Sequence, residues 1–319
     1  MTRMTKWRSR LFFISLFCLL GVAAGTPAQL APAASNAVTG PSSSPDTPAP
    51  ITVNFIALDK DGKPVTDLKP GDLHLFENKI EQKIESLSPA AAEPLTIGFF
   101  FDVSGSRRAD SHVTEETRLV SALLRRIWHD GDTTFLVSFN DKAYVEVQPT
   151  QKLEEMDKGL KLIPGESRSS TSLYDALCSF RPEKLSDFPG RKIFIVLSDF
   201  DDNSSRNRLE DVIEVARQAN LSIFTVVLDR SFGKPSAKQS EKRARKAAQT
   251  IAEETGGEVL IPESGTQLPC VFQQLTVDLQ AGYRLVYIPS STTPSGNARA
   301  GKTRIETTRP HVKLIYPKS

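Results

Sequence analysis

The sequence predicts a doubly wound α/β domain with a mostly parallel sheet and one antiparallel edge strand, set within a β-sandwich module built from both flanks. Three observations predict it. Between Leu95 and about Leu279, apolar runs of strand length alternate with longer stretches of helical periodicity, as a sheet covered by helices on both faces requires. One run, Leu95-Thr-Ile-Gly-Phe-Phe-Phe-Asp102, is almost continuously apolar, the signature of a parallel strand buried on both sides. The short alternating segments before residue 88 and after residue 283 are too few on either side to form a stable sheet alone.

Strands are expected near 95–102, 133–139, 143–147, 191–198, 221–228 and 257–261. Helices are expected over 115–128, 152–162, 172–180, 206–219, 239–255 and 268–279. Leu119, Val120, Leu123, Leu124 and Ile127 recur at helical spacing, so the first helix packs on the sheet. Asn140-Asp-Lys142 is too short for a crossover, so the strands on either side of it pair antiparallel. In the flanks, Ile51–Leu58, Leu73–Glu77 and Lys79–Leu87 are short strands, as are Tyr283–Ile288, Lys302–Thr308 and Val312–Tyr316. Their apolar faces need one another as opposing sheets, so residues 51–88 and 282–319 are expected to form one module interrupted by a domain at 92–281.

The first ten residues carry Arg3, Lys6, Arg8 and Arg10 and no acid, and an apolar stretch from Leu11 to Ala24 follows. This is the layout of a secretory signal peptide, assigned to residues 1–28. The apolar core is short against the roughly 20 residues of a membrane span. No stable membrane insertion is therefore expected after cleavage, and an uncleaved anchor is the alternative. Residues 29–50, rich in Ala, Pro, Ser and Thr, are expected to be a disordered linker. The location implied is secreted, periplasmic or cell-surface. Cleavage removes four of the 40 basic residues and none of the 38 acidic ones, leaving 36 against 38. The mature chain is then slightly acidic, and its charge gives no reason to expect nucleic acid as a partner. Phe17 is too bulky to precede a lipoprotein cysteine, so Cys18 leaves with the signal peptide. Cys178 and Cys270 remain. The sequence leaves both a bridge and two isolated thiols open, and the apolar setting of Cys178 favours the latter.

The chemistry-bearing residues lie at strand ends. The strand ending at Asp102 continues as Asp102-Val-Ser104-Gly-Ser106, which presents a carboxylate and two hydroxyls at alternate positions. The carboxyl edge of an open α/β sheet is where ligands bind, and hard oxygen donors suit a small hard cation such as Mg2+. A Ser-rich turn capping the next helix would look similar. Two further loops weigh against that reading: Thr171 stands in a polar loop before a helix, and Arg191–Asp199 is another apolar strand ending in a carboxylate.

Together these loops resemble the metal-ion-dependent adhesion site of von Willebrand factor A domains, in which a first loop carries Asp-x-Ser-x-Ser and later loops carry a Thr and an Asp. The resemblance implies that Ser104, Ser106 and Thr171 are hydroxyl ligands of Mg2+ or Mn2+, with Asp102 and Asp199 bound directly or through water. It also implies an adhesion-type protein-binding function, in which a partner's Asp or Glu carboxylate completes the metal shell. An antiparallel edge strand is expected of the same family. The run Asp59–Leu68, with Phe76-Glu-Asn78 and Gln82-Lys-Ile84, is further similar to a leader segment of the von Willebrand factor A-related proteins of Acidobacteria. Two positions depart from the pattern: Phe200 follows the last Asp where Gly is common, and Ser198 replaces a frequent Thr. Phe200 keeps open the alternative of a structural envelope protein with a vestigial site.

An enzyme is not expected. A haloacid dehalogenase-type hydrolase also begins with an apolar strand ending in Asp, but needs a second Asp two residues on, where Ser104 stands. His74, His112, His129 and His311 show no zinc spacing, and no nucleophile with a partnered base is evident. Lys238, Lys242, Arg243, Arg245 and Lys246 form a basic cluster read as a solvated helix face, with a phosphate or heparin patch as the alternative. Asp201 and Asp202 are close enough in sequence to add negative charge to the site, but adjacent acids in a Ser/Asn-rich loop are read first as solvated turn residues.

Overall fold

The computed structural model describes residues 49–318 except 91–92, 106–111, 164–169, 189, 229–238 and 291–301. The signal peptide, nearly all of the linker and Ser106 lie outside the described residues.

The described chain opens with β1 (Ile51–Leu58), β2 (Leu73–Glu77), β3 (Ile80–Gln82) and β4 (Ile84–Pro89). The α/β part follows as β5 (Leu95–Asp102), α1 (His112–Ile127), β6 (Thr133–Phe139), β7 (Ala143–Thr150), α2 (Leu153–Leu160), α3 (Leu173–Cys178) and α4 (Pro182–Leu185). It continues through β8 (Arg191–Ser198), α5 (Leu209–Ala219), β9 (Leu221–Val227), α6 (Gln239–Thr255), β10 (Val259–Leu260) and α7 (Leu268–Gln280). The chain then returns through β11 (Gly282–Tyr287), β12 (Thr303–Thr307) and β13 (Lys313–Ile315). Only α4 has no counterpart in the helical periodicity, because four residues are about one turn and cannot establish a period.

The central sheet has the order β10-β9-β8-β5-β6-β7. All neighbours are parallel except β6 and β7, whose antiparallel register pairs Phe139 with Ala143 across the short turn. The apolar runs are buried on both faces. Ile97, Phe99 and Phe101 of β5 pack with Ile193, Ile195 and Leu197 of β8 against α1 and α7. On the other face Phe100, Phe194 and Val196 pack against α3, α5 and α6. Gly98 interrupts the apolar run for a steric reason: a Cβ there would lie 2.2 Å from the Phe135 ring. That ring stacks on Phe180 at 4.7 Å and meets Phe194 edge-on.

The flanking strands form two small sheets, β13-β1-β11-β4 and β12-β2-β3, each containing strands from before and after the α/β part. Val53, Phe55, Leu73, Leu75, Tyr283, Leu285, Tyr287 and Ile305 from both sheets share one apolar cluster. The expectation of one buried face per strand does not hold for β1. Its last six residues are all buried, because Ile56 and Leu58 turn the other way and join the core beside α7. This junction lies at the amino ends of the parallel strands. There Arg191, the first residue of β8, donates to the Leu279 carbonyl at 2.6 Å.

Candidate metal centre

The order in the central sheet reverses between β5 and β8: the chain builds β5, β6 and β7 in one direction, then β8, β9 and β10 in the other. The crevice outside the carboxyl ends at such a switch point is the usual ligand site of an open α/β sheet. Asp102 ends β5, and Asp199 directly follows β8.

Asp102 is 2 % exposed and held on both oxygens. The Ser104 amide donates to Oδ1 at 2.9 Å, and the Ser198 hydroxyl donates to Oδ2 at 2.5 Å. Ser198 also accepts from the Phe200 amide at 2.9 Å, so its hydroxyl ties the β8 loop to the β5 carboxylate. Ser104 is fully buried. The Val103 amide donates to the Phe139 carbonyl at 2.9 Å, which extends the β5–β6 ladder into the loop.

Thr171 is buried and clamped to the loop after β8. Its amide donates to Asn203 Oδ1 at 3.0 Å, and its carbonyl accepts from the amides of Asn203 and Ser204 at 3.1 Å. The Ser172 amide donates to the Asn140 carbonyl at 2.7 Å, joining the same segment to the end of β6. Asp202 is half-buried rather than merely solvated: it accepts from the Tyr174 amide at 3.1 Å and from both the amide and hydroxyl of Ser205. Asp175 accepts from the amides of Arg206 and Asn207. Burial pushes the Asp175 carboxyl up, but hydrogen bonds from Asn207 and Arg206 outweigh it and hold it below the usual range. Asn203, Asp202 and Asp175 thus fix loop shape through bonds spanning about 30 residues. Their only sequence signal was a polar stretch beside a candidate ligand.

Phe200 adopts φ +61°, a left-handed conformation that glycine adopts without a Cβ penalty. The ring is 1 % exposed and packs in the cluster beneath α3 and α5. Phe200→Ala should destabilise the protein by about 3–5 kcal/mol, since it empties the pocket and keeps the strain. Phe200→Gly should be about 1 kcal/mol more stable than the alanine variant, the reverse of the ordinary ranking. Urea denaturation of both variants checks this, and an alanine variant at least as stable as the glycine one would contradict it.

Burial, and then the carboxylates of Asp199, Asp202 and Glu241, push the Asp201 carboxyl upward. Negative charge is therefore concentrated at this edge of the sheet, a setting that a cation relieves. The donors at the strand ends are carboxylate and hydroxyl oxygens, which fit a hard divalent ion. Among the described residues, no cluster of three or more His, Cys, Asp or Glu side chains is placed to hold a metal. Of the five sequence-predicted ligands, Asp102 is bonded to the Ser104 amide and to Ser198 at the end of β8, Thr171 is bonded to Asn203 further along the loop after β8, Asp199 directly follows β8 and accepts from the Asp201 amide at 3.1 Å, and Ser106 lies outside the described residues.

Cys178 and Cys270 are unbridged, the first buried and the second exposed. Burial pushes the Cys178 thiol up to about 11, so it is an inert packing group. No helix among the described residues is long and apolar enough to cross a membrane.

No protein-family profile matches the chain, and no curated protein matches it. Solved structures similar to it include BatB from Bacteroides thetaiotaomicron, 16% identical with a TM-score of 0.41, covering 58% of this chain and 99% of that one. Another is an aerotolerance-related membrane protein from Bacteroides fragilis, 13% identical with a TM-score of 0.42, covering 57% and 98%. A third is proximal thread matrix protein 1 from the mussel byssus, described with a zinc-occupied MIDAS motif. It is 18% identical with a TM-score of 0.48, covering 62% of this chain and 48% of that one. The six-stranded, mostly parallel sheet with helices on both faces is compatible with a von Willebrand factor A-like fold.

Proposed function

We propose that this protein is an exported, Mg2+-dependent, adhesion-type module that binds an acidic group of a protein partner. The observation carrying this reading is that Asp102 ends β5 and Asp199 directly follows β8, the paired strands of the switch point, with Ser104 buried beside Asp102 and Thr171 buried and bonded to Asn203 in the loop after β8. In this reading Ser104, Ser106 and Thr171 hold the ion through hydroxyls, and Asp102 and Asp199 hold it directly or through water. Mg2+, or Mn2+ in its place, supplies Lewis acidity toward an anionic oxygen. Where Asp102 and Asp199 act through water, only neutral oxygens touch the ion directly, and a partner's Asp or Glu carboxylate is then the favoured remaining ligand.

The role of the chain is positional. The Ser198 hydroxyl and Ser104 amide fix the Asp102 carboxylate, and Asn203 fixes the Thr171 loop. No hydrolytic role is assigned, because Ser104 occupies the place where a phosphohydrolase would need a general acid. In this reading the module built from both flanks acts as a β-sandwich base at the opposite edge of the sheet.

Calorimetric titration of the full chain with Mg2+ should show one site. Ser104→Ala should weaken it by about tenfold, because water substitutes in part for a lost hydroxyl. A pull-down from the native cell surface should recover a protein in Mg2+ that EDTA releases. Absence of any divalent-ion heat in the unsubstituted protein would defeat the reading.

A further inference from the structure

Asp278, in the last turn of α7, is fully buried, and its carboxyl group meets that of Glu258 in the turn leading into β10. Each group has one oxygen with a clear donor. Gln274 Nε2 donates to Asp278 Oδ1 at 2.7 Å, and Lys313 Nζ of β13 donates to Glu258 Oε1 at 3.0 Å. The remaining oxygens, Asp278 Oδ2 and Glu258 Oε2, are buried and receive no donor from any other group. Two ionised carboxylates in this position would repel each other with both of those oxygens unsatisfied. A single proton between them supplies the missing donor and makes one O–H···O bond.

We propose that Asp278 and Glu258 share one proton at neutral pH, and that this pair is a pH-sensitive latch fastening β13 to the end of α7. The charges support it. With one proton held, the remaining carboxylate charge is balanced by the Lys313 ammonium. Loss of that proton leaves two anions, one fully buried and one partly buried, against one cation. The facing groups are Gln274 from α7 itself, Glu258 from the β10 turn and Lys313 from β13. The latch adds to a short strand pairing, because β13 is three residues long and, among the described residues, is paired to β1 through Ile56, Ala57 and Leu58.

Burial, and then the charge of Glu258, push the Asp278 carboxyl up to about 8 from an ordinary value of 3.8. The folded protein therefore binds a proton that the unfolded chain releases. The stability from this proton is full below about pH 4 and is lost progressively as pH rises to about 8.

The test compares thermal unfolding of the full chain from pH 4 to 9 with that of Asp278→Asn and Glu258→Gln. Asparagine keeps a donor for Glu258 and removes the titration. The wild-type Tm should fall between pH 5 and 9 by on the order of 5–10 °C more than that of Asp278→Asn. Hydrogen exchange at Leu314 and Ile315 should accelerate beyond its intrinsic pH dependence in the wild type alone. Should Asp278→Asn not fold, Glu258→Gln gives Asp278 an amide donor and should move the wild-type transition down by at least one pH unit. Parallel Tm curves for wild type and Asp278→Asn, or a 13C titration placing the Asp278 carboxyl near 4, would overturn the proposal.

Discussion

Asp102→Ala is expected to eliminate the stabilisation by Mg2+ entirely while the α/β sheet remains folded. At a free concentration about 100 times Kd, one bound ion stabilises a protein by about 2.7 kcal/mol, or roughly 5 °C in Tm for a domain of this size. The wild type should show that rise and the variant none. Asp102 is the residue to change because it ends a central strand of the switch point and both its oxygens are fixed in place. Removing the carboxylate also leaves the buried Ser104 amide and Ser198 hydroxyl without their acceptor, so a loss of about 1–3 kcal/mol without metal is expected. The two effects separate cleanly in differential scanning calorimetry with and without Mg2+. An equal Mg2+ shift in wild type and variant would mean that the ion binds elsewhere.

Removal of residues 282–319 should unfold the amino-terminal strands. β11 is an inner strand that pairs β1 on one side and β4 on the other, and β12 is the edge partner of β2. Tyr283, Leu285, Tyr287 and Ile305 leave the shared cluster together. At about 1.5–3 kcal/mol for each buried side chain, the loss is roughly 6–12 kcal/mol, comparable to the whole stability of a typical domain. Limited proteolysis should then cut within 51–89 while Mg2+ binding persists, because the metal edge lies at the other end of the parallel strands. Persistent protection of 51–89 would show that the flanks are independent units. The α/β part itself should lose stability, since Ile56, Leu58 and Ile315 cover part of its core.

Much of this architecture is legible along the chain because it follows from local periodicity. Leu95–Asp102 and Arg191–Ser198 are apolar without interruption because both of their faces are covered, and such runs admit few other fates. The antiparallel β6–β7 pair follows from the three-residue Asn140–Lys142 connection alone. The positions of Asp102, Thr171 and Asp199 at the ends of strands or before a helix are equally local facts. The double burial of β1 is not, because Ile56 and Leu58 alternate with Phe55 and Ala57 in a pattern that states two apolar faces without stating what covers the second.

Composition and the strand and helix periods are thus properties of neighbours in the chain, and they suffice for a mixed α/β class with a mostly parallel sheet, whereas the candidate ligands rest on a resemblance of loops. The shape of the centre is a property of residues far apart. Ser198 holds Asp102 across 96 positions, and Asn203 holds Thr171 across 32. The left-handed turn at Phe200 is tolerated where its ring is buried beneath α3 and α5. The Asp278–Glu258 pair is likewise invisible in sequence, since a carboxylate's proton affinity is set by burial and by the charge brought beside it, neither of which exists until the chain has packed.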